Sequence, residues 1–112
     1  MRQTFTVELD VFAGRPNPSF PIGKEDFDYI VEEISRLEKS EPVELFDGLG
    51  FRGLLLTGER TKLRIQTYLV QKQDENIMYY KSNKALLRKA VAIFNKYDTK
   101  QEYKELIEAI LE

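Results

Sequence analysis

"FRGLLLTGERTKLRIQTYLVQKQDENIMYY", Phe51–Tyr80, is the stretch on which the fold turns. Phe51 to Thr57 is apolar on both faces and reads as a buried strand. Thr57-Gly58-Glu59-Arg60 supplies a tight turn, and Gly58-Glu59, with glycine first, suits a two-residue type II′ hairpin. Lys62 to Val70 alternates weakly and reads as the return strand. Lys72-Gln73-Asp74-Glu75-Asn76 turns the chain again, and Ile77 to Tyr80 gives a last short strand. Strands that follow one another through short polar turns predict an antiparallel meander.

Upstream, Phe5, Val7, Leu9 and Val11 alternate with Thr4, Thr6, Glu8 and Asp10, a period-two pattern that predicts a strand. Its apolar side chains face a core, and Glu8 and Asp10 face solvent or a site. A loop follows from Gly14 to Gly23, where Pro16, Pro18 and Pro21 exclude helix and favour extended backbone. From Lys24 to Lys39, Phe27, Ile30, Val31, Ile34 and Leu37 form one stripe of an amphipathic helix. Glu25 and Asp26 complement the dipole of its first turn. Ser40 to Gly50, with Pro42, reads as a second loop.

Downstream, Ser82 or Asn83 can cap a second helix whose buried stripe is Leu86, Leu87, Ala90, Val91 and Phe94. Asp98 and Thr99 restart a helix, and Thr99 with Glu102 forms a capping-box pattern. Tyr103, Leu106, Ile107 and Ile110 are its apolar face. The order β-α-β-β-β-α-α predicts an α+β fold: a mainly antiparallel sheet of about four strands, with helices packed on one face. With no repeat or linker, residues 1–112 read as a single globular domain.

Composition removes several chemistries. The chain has neither cysteine nor histidine. Disulfides, thiolate metal sites and cysteine nucleophiles are excluded, and any catalysis must run on carboxylates, lysine, tyrosine or backbone amides. No cofactor or metal motif stands out. The lack of cysteine suits the cytoplasm, and no apolar run approaches the roughly 20 residues of a membrane helix. The net charge of −2 hides a polar distribution: Glu25–Asp47 is acid-rich and Arg60–Lys96 base-rich. The ordinary explanation is that neighbouring elements complement each other across the fold. The alternative is a polyanion-binding face, with Lys84, Arg88 and Lys89 on the second helix.

Two motifs compete for a functional reading. Gly48-Leu49-Gly50-Phe51-Arg52-Gly53 spells G-x-G-x-x-G, but strand rather than helix follows, so no βαβ nucleotide unit forms. Glycines that allow positive φ and close packing at the start of a strand explain it better. Gly14-Arg15-Pro16-Asn17-Pro18 is a stiff loop, because Arg15 and Asn17 each precede a proline. A fixed Arg15 guanidinium could grip a carboxylate or phosphate through paired hydrogen bonds. Equally, Arg15 could pair with Asp10 or Asp47 and Asn17 could bond to backbone, locking a corner.

Together these segments resemble a family of small uncharacterised microbial proteins. That family carries a (Ser/Ala)-Gly-Arg-Pro-Asn-Pro segment and a later Leu-Gly-(Tyr/Phe)-Arg-Gly segment. Gly14, Arg15, Pro16, Asn17, Pro18, Leu49, Gly50, Arg52 and Gly53 match, with Phe51 where tyrosine is common. The resemblance covers about the first half of the chain and implies no activity. It implies that the two loops belong together.

Remaining candidates are weaker. Glu8 and Asp10 on one strand face could act as paired carboxylates, although solvated charges are commoner there. Tyr68, Tyr79 and Tyr80 could form a base-stacking platform, although sheet packing is commoner. The expected function is a non-catalytic binding module for a protein or small anionic ligand, with Asp10, Arg15, Asn17 and Arg52 at the site. Nucleic-acid or polyanion binding through Arg60–Lys96 is the alternative, and a histidine-free enzyme using Asp10, Arg15 and Arg52 comes third. Antiparallel pairing of the first two strands would put both loops at one end of the sheet; parallel pairing would separate them. The antiparallel arrangement is the expectation.

Overall fold

The structure, a computed structural model, describes residues 4–12, 14–45 and 50–112. Its strands are β1 (Phe5–Asp10), β2 (Ser19–Ile22), β3 (Lys39–Ser40), β4 (Gly53–Thr57), β5 (Lys62–Ile65), β6 (Leu69–Gln73) and β7 (Ile77–Lys81). The helices are α1 (Lys24–Ser35), between β2 and β3, then α2 (Lys84–Tyr97) and α3 (Lys104–Leu111) after β7. All strands join one sheet in the order β2-β1-β4-β5-β6-β7-β3, and every pairing is antiparallel.

The fold is α+β with three helices, but the sheet has seven strands rather than about four. Three segments account for the correction. Ser19–Ile22 pairs with β1 at an edge, the one place where Pro21 costs no ladder bond. Lys39–Ser40 forms a two-residue strand on the opposite edge, after α1 stops four residues short of Lys39. Lys62–Val70 is not one strand. It folds back at Gln66–Leu69, where the Gln66 amide donates to the Leu69 carbonyl at 2.9 Å. That turn contains neither glycine nor proline.

Register divides the sheet into two faces. Val7, Leu56 and Leu63 stand side by side, as do Leu9, Leu54, Ile65, Val70 and Tyr80. These are buried in one cluster with Phe27, Ile30 and Ile34 of α1 and Leu87, Ala90 and Phe94 of α2. Burying each such side chain contributes roughly 1.5–3 kcal/mol. The other face carries Glu8, Leu55, Arg64, Gln71 and Tyr79 in one row, none of them fully buried.

Local details follow from packing. Gly58 does not adopt the left-handed conformation of a type II′ turn. Its amide bonds to Thr61 O at 2.8 Å, and a Cβ there would meet the Phe27 ring at 2.7 Å, so the glycine makes room for an aromatic side chain. Asn83, rather than Ser82, caps α2, its Oδ1 accepting from Leu86 N at 2.8 Å. The Thr99–Glu102 box is not used: α3 starts at Lys104, after a turn in which Gln101 takes φ 51°.

Acidic α1 and basic α2 do complement each other. Lys96 contacts Asp26 at 3.0 Å and Lys89 contacts Glu33 at 2.6 Å, while Lys81 on β7 reaches Glu38 at 3.2 Å. The Tyr97 hydroxyl donates to Asp26 at 2.5 Å and accepts from Gly23 N at 2.9 Å, tying the end of α2 to the start of α1. The Tyr97 bond, helped by Lys96, keeps the Asp26 carboxyl below the usual range.

Candidate functional site

Antiparallel pairing of β1 with β4 sets Asp10 opposite Gly53. The Gly14–Pro18 loop and the Gly50–Gly53 segment therefore meet at one end of the sheet. Asp47, considered as a partner for Arg15, lies outside the described residues, as do Gly48 and Leu49.

Asp10 is the hub of this corner. Its Oδ1 accepts from Arg52 Nε at 3.1 Å, Arg52 Nη2 at 2.9 Å and Asn17 Nδ2 at 3.0 Å. Its Oδ2 accepts from Arg64 Nη1 at 2.8 Å. The Asp10 side chain is only 13% exposed. Burial works against its charge, but the hydrogen bonds and charges of Arg64 and Arg52 outweigh that penalty and hold the carboxyl below its ordinary range.

Gly53 makes the hub possible. Arg64 sits on β5, one strand beyond β4, and must pass over β4 to reach Asp10. At Gly53 an added Cβ would lie 3.0 Å from Arg64 Cγ and 3.2 Å from Ile65 O. Gly53 also holds φ 130°, which side-chain-bearing residues rarely adopt. The glycine of the "GFRG" segment thus serves the path of an arginine.

Asn17 locks the other loop. Its Oδ1 accepts from Val11 N at 3.0 Å and Phe12 N at 2.8 Å, and its amide nitrogen also reaches Glu8 at 3.4 Å. Glu8 and Asp10 are therefore bridged by an amide rather than left as a free carboxylate pair. Arg52 donates to Phe12 O at 2.5 Å, while its own carbonyl accepts from Arg64 at 2.9 Å and Gln66 at 3.0 Å.

Arg15 takes a different part. Its guanidinium carbon lies 3.7 Å from the centroid of the Phe12 ring, a stacked cation–π contact. Asp10 is occupied by Arg52 and Arg64, so Arg15 is not its partner. Arg15 is exposed and has no carboxylate partner among the described residues. Phe12 links the two arginines, its carbonyl held by Arg52 and its ring covered by Arg15.

A cleft of about 500 Å³ adjoins the corner on the Arg52 side, walled by Val43, Phe51, Tyr68 and Leu69, with Gln66 at the junction. Tyr68 stands at the tip of the β5–β6 turn, 84% exposed. The three tyrosines do not form a platform: Tyr80 is buried under the helices, Tyr79 lies on the open face and Tyr68 is at a turn. On α2, Lys84 and Arg88 are exposed, but Lys89 is bound to Glu33, which reduces the three-cation patch expected there.

Sequence reading grouped Asp10, Arg15, Asn17 and Arg52; the structure joins Asp10, Asn17 and Arg52 by hydrogen bonds and sets Arg15 apart, on the Phe12 ring. It missed Arg64 and Phe12. Arg64 carried a signal: it alternates with Leu63 and Ile65, so with those two in the core it had to lie on the open face. Phe12 carried none beyond its place next to the loop. Comparison with known proteins finds no matching family model, no matching curated protein and no matching solved structure.

Proposed function

We propose that the protein is a non-catalytic binding module whose Gly14–Pro18 corner receives an anionic group at Arg15. The observation that carries this reading is the exposed Arg15 guanidinium held over the Phe12 ring at 3.7 Å, with its donors unclaimed by any carboxylate among the described residues. A stacked guanidinium loses little further freedom when it grips a planar carboxylate or a phosphate. The corner behind it is stiffened by Asn17 and by the Asp10–Arg52–Arg64 network, which fixes Phe12 from its backbone side. Arg52 and Asp10 act in this reading as supports, and Arg15 makes the contact.

Catalysis fits the corner less well. Asp10 is held anionic by two guanidiniums and is a poor proton carrier near neutral pH. Polyanion binding through α2 is weakened by the loss of Lys89 to Glu33.

Titration of the labelled protein with inorganic phosphate and with citrate, followed by amide NMR shifts, tests the reading. Saturable shifts centred on Phe12–Asn17 are expected. Arg15→Lys should weaken binding despite keeping the charge, because an ammonium cannot reproduce the fork. Affinity unchanged from wild type in Arg15→Lys and in Arg15→Ala would overturn the assignment. Retention on a polyanion column that survives loss of Arg15 but fails in a Lys84/Arg88 charge reversal would favour the α2 face instead.

A further inference from the structure

A second cleft, of about 290 Å³, lies between the start of β2 and the turn joining α2 to α3, beside the Gly14–Pro18 corner: Pro18 lines it, and its Tyr103 packs against Phe12 at 6.2 Å. Phe20, Tyr97 and Tyr103 form aromatic walls, and Asp98, Lys100 and Glu102 also line it. The walls are set firmly. Phe94, fully buried, packs edge-on against Phe20 at 5.3 Å and Tyr103 at 6.2 Å, and Tyr97 is held through its hydroxyl by Gly23 and Asp26.

Asp98 is the anomaly. It is 4% exposed, and its Oδ2 accepts no hydrogen bond from any described residue. Its backbone is engaged, the amide donating to Phe94 O at 2.9 Å and the carbonyl accepting from Gln101 N at 3.0 Å, which fixes the position of its Cα beside the cleft. A carboxylate oxygen buried without a donor is costly. It also stands at the C-cap of α2, where the helix dipole is negative and a cation is favoured. Lys100 lines the same cleft, yet its ammonium leaves Asp98 Oδ2 without a hydrogen bond.

We propose that this cleft binds an alkylammonium group, with Asp98 as the counter-charge and Phe20, Tyr97 and Tyr103 as the aromatic enclosure. The Asp98 carboxylate, the C-terminus of α2 and the aromatic rings favour a cation, against the like charge of Lys100 and with Lys96 already over the Tyr97 ring at 5.4 Å. A hard metal ion fits less well: among the described residues no group of three or more His, Cys, Asp or Glu could hold one. An organic ammonium needs a single strong acceptor and gains from the rings, which matches what the cleft offers.

The test is titration of the labelled protein with butylammonium chloride, with Nα-acetyl-lysine N-methylamide and with neutral 1-butanol, followed by amide NMR. Saturable millimolar binding of butylammonium is expected, with shifts centred on Tyr97–Tyr103 and no comparable shifts from butanol. The lysine derivative distinguishes a free amine from a lysine side chain as the natural source, by which of the two cations binds more tightly. Asp98→Asn keeps the side chain's shape and should weaken butylammonium at least about tenfold, corresponding to 1.4 kcal/mol. Butanol shifting the same amides equally, or butylammonium binding Asp98→Asn as tightly as wild type, would overturn the proposal. If Asp98→Asn failed to fold, the butylammonium–butanol contrast on the wild-type chain would decide it alone.

Discussion

Two aspartates, both largely buried, stand in opposite circumstances. Asp10, at the end of β1, accepts hydrogen bonds from Arg52, Arg64 and Asn17. Asp98, at the end of α2, has an oxygen that accepts none from any described residue. The same side chain is a keystone in one place and an unmet demand in the other. A satisfied buried charge stiffens the structure around it, and an unsatisfied one is a reason to bind something. The two arginines of the corner repeat the lesson. Arg52 is engaged by Asp10 and the Phe12 carbonyl, whereas Arg15 rests on a ring, exposed and with no carboxylate partner among the described residues.

The largest effect should come from Asp10→Ala. Removing one partner of a buried ion pair strands the others and costs roughly 3–5 kcal/mol. Urea unfolding would measure it, and a loss below about 1 kcal/mol, the worth of an ordinary hydrogen bond, would mean that the corner is held by packing alone. The pH dependence has a definite sign. The folded Asp10 carboxyl titrates below the unfolded value of about 3.9, so its stabilisation is complete above that value. It is lost as pH falls through the lower folded value. Asp10→Asn should therefore flatten the acid limb of the stability curve.

Gly53→Ala comes next. It combines a left-handed φ with an obstacle beneath Arg64, and strain of this kind costs roughly 1–3 kcal/mol. The crystal structure of the variant should show Arg64 drawn away from Asp10. An intact Arg64–Asp10 bridge would show that the arginine does not need that gap.

Asp98→Asn should move stability the other way, raising it by about 1 kcal/mol at neutral pH, because an uncompensated buried charge is removed. Destabilisation in that variant would place Asp98 in the same class as Asp10 and break the comparison. The smallest change belongs to Arg15→Ala, within about 0.5 kcal/mol of wild type, as for a surface side chain outside any structural network. Thermal melts of both variants beside Asp10→Ala would order the three sites directly.

The sequence alone determined what periodicity can encode. The stripes of α1 and α2 and the alternation of β1 follow from local residue spacing, so the helices and the first strand were legible. That the Gly14–Pro18 loop and the Arg52 segment share one end of the sheet was legible, because they flank the ends of strands that could pair antiparallel, but the bonds of Asp10 to Asn17 and Arg52 were not: Arg15 was the partner expected there. Tertiary structure decided the rest. β2 and β3 exist only because a neighbour offers its edge, and neither has a periodic pattern long enough to declare itself. The bend at Gln66–Leu69 has no turn residue to announce it and is fixed by pairing on both sides. Arg64 reaches Asp10 across a glycine on the strand between them, and Asp98 Oδ2 finds no donor among the described residues because of what packs around it. Local spacing sets which face a side chain presents, but whether a buried charge finds its partner depends on residues distant in the chain, and only folding brings those together.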